Sequence, residues 1–167
     1  MKKLIIMLML LAPMATFAQK FGHVDTEAIV QSLPDYSRAK GEVEAVAKQY
    51  ENELQESQAE LQRQAEDYDK KKSSMNATQQ QEMEQKLNDM YTKIQQQYQQ
   101  SQQEIQKAQQ EKMQPILNKV RQAIETVAKS GDYVYVMDVA AGSVLYINEN
   151  ISKDLTAEVK AQIAKMK

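Results

Sequence analysis

The 167 residues include a single histidine, His23, and no cysteine. Thiol nucleophiles, disulfides and Cys-ligated metals are therefore excluded, as is most chemistry that needs two imidazoles. Carboxylates, lysines and eight tyrosines remain. Asp138 and Asp154 stand beside turns and helix starts, where a carboxylate is more simply a cap than half of an acid/base pair. His23 follows Gly22 in a strand-like run and reads as a structural residue rather than a pH sensor. The sequence has no Gly-rich phosphate loop, no metal-ligand spacing and no nucleophile with an adjacent base. An enzyme is the poorest reading, and neither a metal nor a cofactor is expected. With 21 basic residues against 23 acidic ones, the chain also lacks the basic footprint of a nucleic-acid binder.

The chemistry left to this chain is contact with other chains. Tyr50, Tyr68, Met83, Met90, Tyr91, Ile94 and Tyr98 are the apolar or amphipathic groups of a long polar stretch. Met and Tyr suit promiscuous binding because they adapt without demanding one geometry. At helical spacing the same residues can instead zip two helices together, which is the better fit for Met83, Met90 and Ile94. Tyr91 falls off that seam and is the better surface residue. Lys70, Lys71 and Lys72 form the one concentrated basic patch, suited either to transient contact with an anionic surface or simply to a solvated helix end.

The elements that position these residues follow from the patterning. Residues 1–18 read as a cleaved export signal. Lys2 and Lys3 begin it, an apolar run too short to span a bilayer follows, and Thr16-Phe17-Ala18 offers small residues for cleavage after Ala18. The mature chain then carries 19 basic and 23 acidic residues, with no transmembrane helix expected. Residues 21–24 look like a strand, followed by a helical stretch over 27–33 with Asp25 or Thr26 as N-cap, which Pro34 interrupts. One long helix over 36–72 and a second over 79–129 are separated by the only central cluster of turn formers, in which Thr78 and Gln81 match a capping box. Two long helices joined by a short turn must lie antiparallel. Their seam is half polar: Val43, Ala47, Tyr50, Leu54, Leu61, Tyr68 and Met75 share it with Ser57, Gln64 and Lys71. In the second helix Met83, Leu87, Met90 and Ile94 keep the pattern, and a stutter brings in Tyr98, Ser101 and Ile105. Met113, Leu117, Val120, Ile124 and Val127 then restore it. Positions 95–110 hold ten Gln, read as helix-compatible filler.

Gly131 is placed as the C-cap of the second helix. Residues 133–139 read as a buried strand, Ala140-Ala141-Gly142 as a short loop, and 143–147 as the return strand of a β-hairpin. A closing helix over 154–166 puts Leu155, Val159 and Ile163 on one face. The fold class is therefore α+β, a long antiparallel two-helix hairpin with a small strand body. Segments 19–40 and 115–167 are assigned to the body, and 41–114 to a helical arm with its tip near 73–78. A body of about 70 residues is marginal alone. Its open strand edges call for pairing between copies through Phe21, Val24, Val134, Val136, Val144 and Tyr146.

Phe21-Gly22-His23-Val24-Asp25-Thr26-Glu27-Ala28-Ile29, Leu33-Pro34-Asp35-Tyr36, the charged helical hairpin, Tyr133-Val134-Tyr135-Val136-Met137-Asp138 and Asp154-Leu155-Thr156-Ala157-Glu158-Val159 together resemble the OmpH/Skp family of periplasmic chaperones. The resemblance covers essentially the whole mature chain and is most specific at its two ends. It implies a jellyfish-shaped homotrimer in which strands build a β-barrel body and three arms surround a cavity. It also implies a passive, ATP-independent hold on unfolded outer-membrane proteins in the periplasm. Pro115, inside the second helix, suits a pivot between arm and body, or a tolerated kink without a role in motion. One departure stands out: residues 41–114 carry 9 basic and 14 acidic side chains, where the best-known members are strongly basic. That balance argues against electrostatic capture of acidic clients. A reading from another class is a structural or adaptor coiled coil that binds one folded envelope partner.

Overall fold

The computed structural model describes residues 19–166, and the proposed export signal over 1–18 lies outside them. In chain order the elements are β1 (Lys20–Val24), α1 (Thr26–Gln31), α2 (Pro34–Lys71), a 3₁₀ turn (Lys72–Ser74), α3 (Ala77–Ser130), β2 (Tyr133–Asp138), β3 (Ser152–Asp154) and α4 (Thr156–Lys165). They divide into two compact units, one over residues 27–121 and one made of 19–26 with 122–166.

The first unit is the helical hairpin. Leu33 is extended, with φ −84° and ψ 131°, because the proline ring after it disfavours helical geometry. Pro34 then occupies the first helical turn, where its missing N–H costs nothing. At 1.5 Å per residue, α2 is about 57 Å long and α3 about 81 Å. The capping box at the start of α3 lies two residues earlier than the sequence suggests. Asn76 Oδ1 accepts from the Gln79 N–H at 2.9 Å, and Gln79 Oε1 accepts from the Asn76 N–H at 3.0 Å. Asn is as good a cap as Thr, and the turn already ends at the extended Met75.

The second unit is built on a three-stranded sheet of order β2-β1-β3, with both pairings parallel. This corrects the expected β-hairpin. A chain that leaves β2 and re-enters alongside β1 in the same direction must first travel back along the sheet. Residues 143–148 make that return without strand pairing, and Val144 and Tyr146 therefore lie on the connection rather than on a strand. The third strand is Ser152–Asp154, fixed to β1 by the His23 Nδ1 and Ser152 Oγ hydrogen bond at 3.0 Å. The strand β2 is not buried on both faces in the single chain: Val134, Tyr135 and Met137 are exposed.

Gly22 is the close-approach point of this unit. A β-carbon there would stand 2.6 Å from Leu155 Cδ1 and 3.3 Å from Tyr133 Cδ1, so only glycine lets Leu155 seat against β1. Leu155, Val159 and Ile163 are buried on one face of the closing segment as their spacing requires, along with Val24 and Ala123. The helix α4 itself begins at Thr156, because Asp154 belongs to β3 and its Oδ1 accepts the Thr156 N–H at 2.8 Å. At the end of α3 the left-handed residue is Asp132, with φ 56°, and not Gly131. Gly131 is needed for space instead, since the Tyr133 ring lies where its side chain would be.

Candidate functional site

The hairpin carries most of the contact residues, and its register is set by polar cross-links between α2 and α3. Lys112 pairs with Glu42 at 2.5 Å, Ser57 Oγ donates to Gln97 Oε1 at 3.0 Å, and Lys86 Nζ donates to Gln64 Oε1 at 3.0 Å. Nearer the turn, the Tyr68 hydroxyl donates to Glu84 Oε1 at 2.6 Å. The hydrogen bond from Tyr68 holds the Glu84 carboxyl below its usual range, and Lys72 adds to the effect. The same hydrogen bond raises the Tyr68 hydroxyl. Lys112 likewise holds Glu42 low, and Glu42 raises the Lys112 ammonium.

On α3 the inward positions are Met83, Leu87, Met90, Ile94, Gln97 and Ser101, alternating four and three without interruption. Gln97, not Tyr98, therefore occupies the seam, and Ser101 is only 1% exposed, its hydroxyl donating to the Tyr98 carbonyl. The break in the heptad falls later. Ala108, Ile116 and Val120 point inward at spacings of eight and four, and Leu117 turns outward. Pro115 lies in this stretch, where its ring removes the hydrogen bond to the Glu111 carbonyl while α3 continues to Ser130. A groove beside it is lined by Asp35, Arg38, Glu42, Lys112, Ile116 and Lys119.

These packing choices sort the contact residues. Tyr68 is 5% exposed and committed to the hairpin, and Tyr50, Met83, Met90 and Ile94 are half-buried at seam positions. Tyr91 and Tyr98 stand seven residues apart on one flank, 54% and 56% exposed, and offer their rings to solvent. In the lysine cluster, Lys71 pairs with Asp67 at 2.7 Å. Lys72 lies 3.5 Å from Glu84 and 5.2 Å above the Tyr68 ring, so two of the three ammonium groups have local partners.

In the sheet unit, Phe21 stacks on Tyr135 with ring centroids 6.3 Å apart and planes 6° from parallel. Val24 is buried, Val136 and Val144 are half-buried, and Val134 is exposed. Between β2 and β3, three apolar side chains are far more exposed than strand residues would be. Leu145 is 98% exposed, Tyr146 81%, and Ile151 is exposed as well. Asp138 Oδ2 accepts from the Thr26 hydroxyl at 2.6 Å and Oδ1 from the Thr26 N–H at 3.2 Å, capping α1 from β2. Asp154 is held below its usual range, chiefly by its hydrogen bonds from Thr156. Among the described residues no three metal-ligating side chains converge, and no helix is long and apolar enough to cross a membrane.

Comparison with known proteins agrees with this architecture. Residues 20–163 match the family model described as outer membrane protein (OmpH-like). The chain is 31% identical over 163 residues to the chaperone protein Skp of Yersinia enterocolitica, spanning 93% of each protein. It superposes with a TM-score of 0.75 on the crystal structure of a putative outer membrane chaperone (OmpH-like) from Caulobacter crescentus, at 18% identity, covering 89% of this chain and 86% of that one.

Proposed function

The chain belongs to the OmpH-like family of outer membrane proteins, and from that membership we propose that it is a periplasmic, ATP-independent holdase for unfolded outer-membrane β-barrel proteins. The observation that carries the reading is the chaperone relative aligned along nearly the whole chain, joined to an arm that keeps two tyrosine rings outside its own seam. Because those rings leave the hairpin intact when they touch a client, many weak and reversible contacts can hold an unfolded chain without any chemical step. The half-buried Met83, Met90 and Ile94 add adaptable surface where the seam opens. Three copies of the chain would cover the exposed face of β2 and the return connection with one another, and the cavity between their arms would take one client. Residues 41–114 then form the arm, 19–40 with 115–167 the body, and Pro115 the pivot that lets the arm spread. Lys70, Lys71 and Lys72, beside the tip, would make the transient contact with an anionic surface.

The test dilutes a urea-unfolded outer-membrane barrel protein into buffer containing residues 19–167. Suppressed turbidity, with a soluble species of three copies plus one client by light scattering, is the expected result. Unchanged aggregation with the protein still oligomeric would move the reading to an adaptor that binds one folded partner.

A further inference from the structure

Sulfur enters the mature chain only as methionine, because cysteine is absent. Four of those methionines, Met75, Met83, Met90 and Met113, lie in the helical hairpin, and all four are half-buried rather than sealed. The apical seam they help build is thin. Beyond the Ser57–Gln97 hydrogen bond, its apolar members are Leu61, Tyr68 and Met75 from the α2 side and Met83, Leu87, Met90 and Ile94 from α3. Met90 and Ile94 also line an open groove of about 320 Å³ that is otherwise bordered by Glu56, Ser57, Glu60, Lys93 and Gln97. The Met90 side chain is thus open to small polar oxidants from the groove, and Met83, half-buried on the same face, is not sealed either.

We propose that Met83 and Met90 are a reversible oxidation site that loosens the apical half of the hairpin. A peroxide or hypohalous acid transfers one oxygen to the thioether sulfur, forming the S=O bond and breaking the oxidant's O–O or O–Cl bond. Sulfur loses two electrons and the oxidant gains them, leaving water from hydrogen peroxide, or chloride and a proton from hypochlorous acid. The sulfoxide is polar and a strong acceptor, so it no longer packs on the apolar face that Leu87 and Ile94 share with Met83 and Met90 without a donor to meet it. The seam has no surplus of apolar contacts to absorb that change, since Ser57, Gln64, Gln97 and Ser101 already occupy neighbouring inward positions. A methionine sulfoxide reductase would restore the thioether and the packing. The proposal concerns the stability of the hairpin, which is read without a client, so its failure and that of the holdase reading are separate outcomes.

The experiment treats residues 19–167 with graded hypochlorous acid, maps the added oxygen by peptide mass spectrometry and follows thermal melting by far-UV circular dichroism at fixed protein concentration. N-acetylmethionine amide added to the sample is the dose marker, because Met137, exposed on β2 in the single chain, lies on the face that copies would cover. Oxygen should appear on Met83 and Met90 over the dose range that modifies the added N-acetylmethionine amide, and the helical melt should fall by at least about 3 °C. The Met83→Leu/Met90→Leu chain should keep its melting point through the same treatment, Met137→Leu should still lose it, and a sulfoxide reductase should reverse the loss. Met→Leu conserves volume, and Met90→Leu alone serves if the double variant folds poorly. Unmodified Met83 and Met90 at full oxidation of the added N-acetylmethionine amide, an unchanged melt after they are modified, or an equal loss in the leucine variant would each overturn the proposal.

Discussion

Gly22→Ala is expected to destabilise the sheet unit, although alanine is ordinarily the better residue in a strand. The added β-carbon would lie 2.6 Å from Leu155 Cδ1, 3.2 Å from Leu155 Cγ and 3.3 Å from Tyr133 Cδ1. Unstrained carbon pairs sit about 3.5–4.0 Å apart, so something must move by about 1 Å. Leu155 is only 1% exposed and cannot swing into solvent, so β1 or the start of α4 must shift. Overpacking of this kind costs about 1–3 kcal/mol, and relief of glycine's extra unfolded-state entropy returns about 0.5–1 kcal/mol. Mid-range values leave a net loss of about 1 kcal/mol, or about 0.5 M in the urea midpoint if the slope is about 2 kcal/mol/M. With no tryptophan in the chain, tyrosine fluorescence is the natural probe, because Tyr133 borders the site. Unfolding should be measured at one protein concentration, since association shifts the midpoint. Leu155→Val alone loses about 0.8 kcal/mol with its methylene. In the Gly22→Ala/Leu155→Val pair the clash is relieved, so the two losses should fall short of additivity by about 1 kcal/mol. A midpoint that stays or rises on Gly22→Ala, or strict additivity in the pair, would refute the close-approach argument.

Other expectations follow from the same geometry. Tyr91→Ala with Tyr98→Ala should reduce the protection of an unfolded barrel protein in a turbidity assay while stability changes by no more than about 0.5 kcal/mol, as befits exposed sites; lost stability with intact protection would assign the rings to packing. Tyr68→Phe removes the hydrogen bond that most lowers Glu84, so the Glu84 carboxyl should titrate higher by carbon-detected NMR, and an unmoved titration would mean Lys72 alone sets it. Because Asp154 is depressed in the fold, its contribution is full above its unfolded value near pH 3.9 and is lost as pH falls through the lower folded value. Asp154→Asn should flatten that acid limb in pH-dependent denaturation, and an unchanged limb would remove the Thr156 contact as its cause. Pro115→Ala should narrow the spread of arm positions in small-angle scattering and reduce the range of client sizes held, whereas no change in either would leave Pro115 as a tolerated interruption.

Local chemistry made most of the hairpin legible in the sequence. Absence of proline between Tyr36 and Lys72, spacings of three and four, and one cluster of cap formers were enough to place two long helices and the turn between them. The site was legible only in part, because the side of a helix that faces inward is a matter of tens of degrees. Tyr98 and Gln97 are one residue apart, and the sequence favoured the apolar one for the seam. The structure puts Gln97 there because Ser57 on the facing helix supplies a hydroxyl to its amide oxygen, a partner forty residues away. The heptad is then kept through Ser101, its break falling only beyond Ala108, and Tyr98 is left in water beside Tyr91.

By itself the sequence determined the long helices and the first two strands, the exclusion of thiol and multi-histidine chemistry, the half-polar seam and the buried face of Leu155, Val159 and Ile163, since each of these is a property of composition or of period within one segment. Only the tertiary structure decided how the strands pair. Residues 143–147 have good strand composition and a glycine turn before them, yet they form no ladder. Strand direction depends on which edge of β1 is open and on what anchors its partner. Ser152 is held by His23, and Leu155 is seated over Gly22, so the polar Ser152–Asp154 becomes the third strand and the more apolar segment becomes the road back to it.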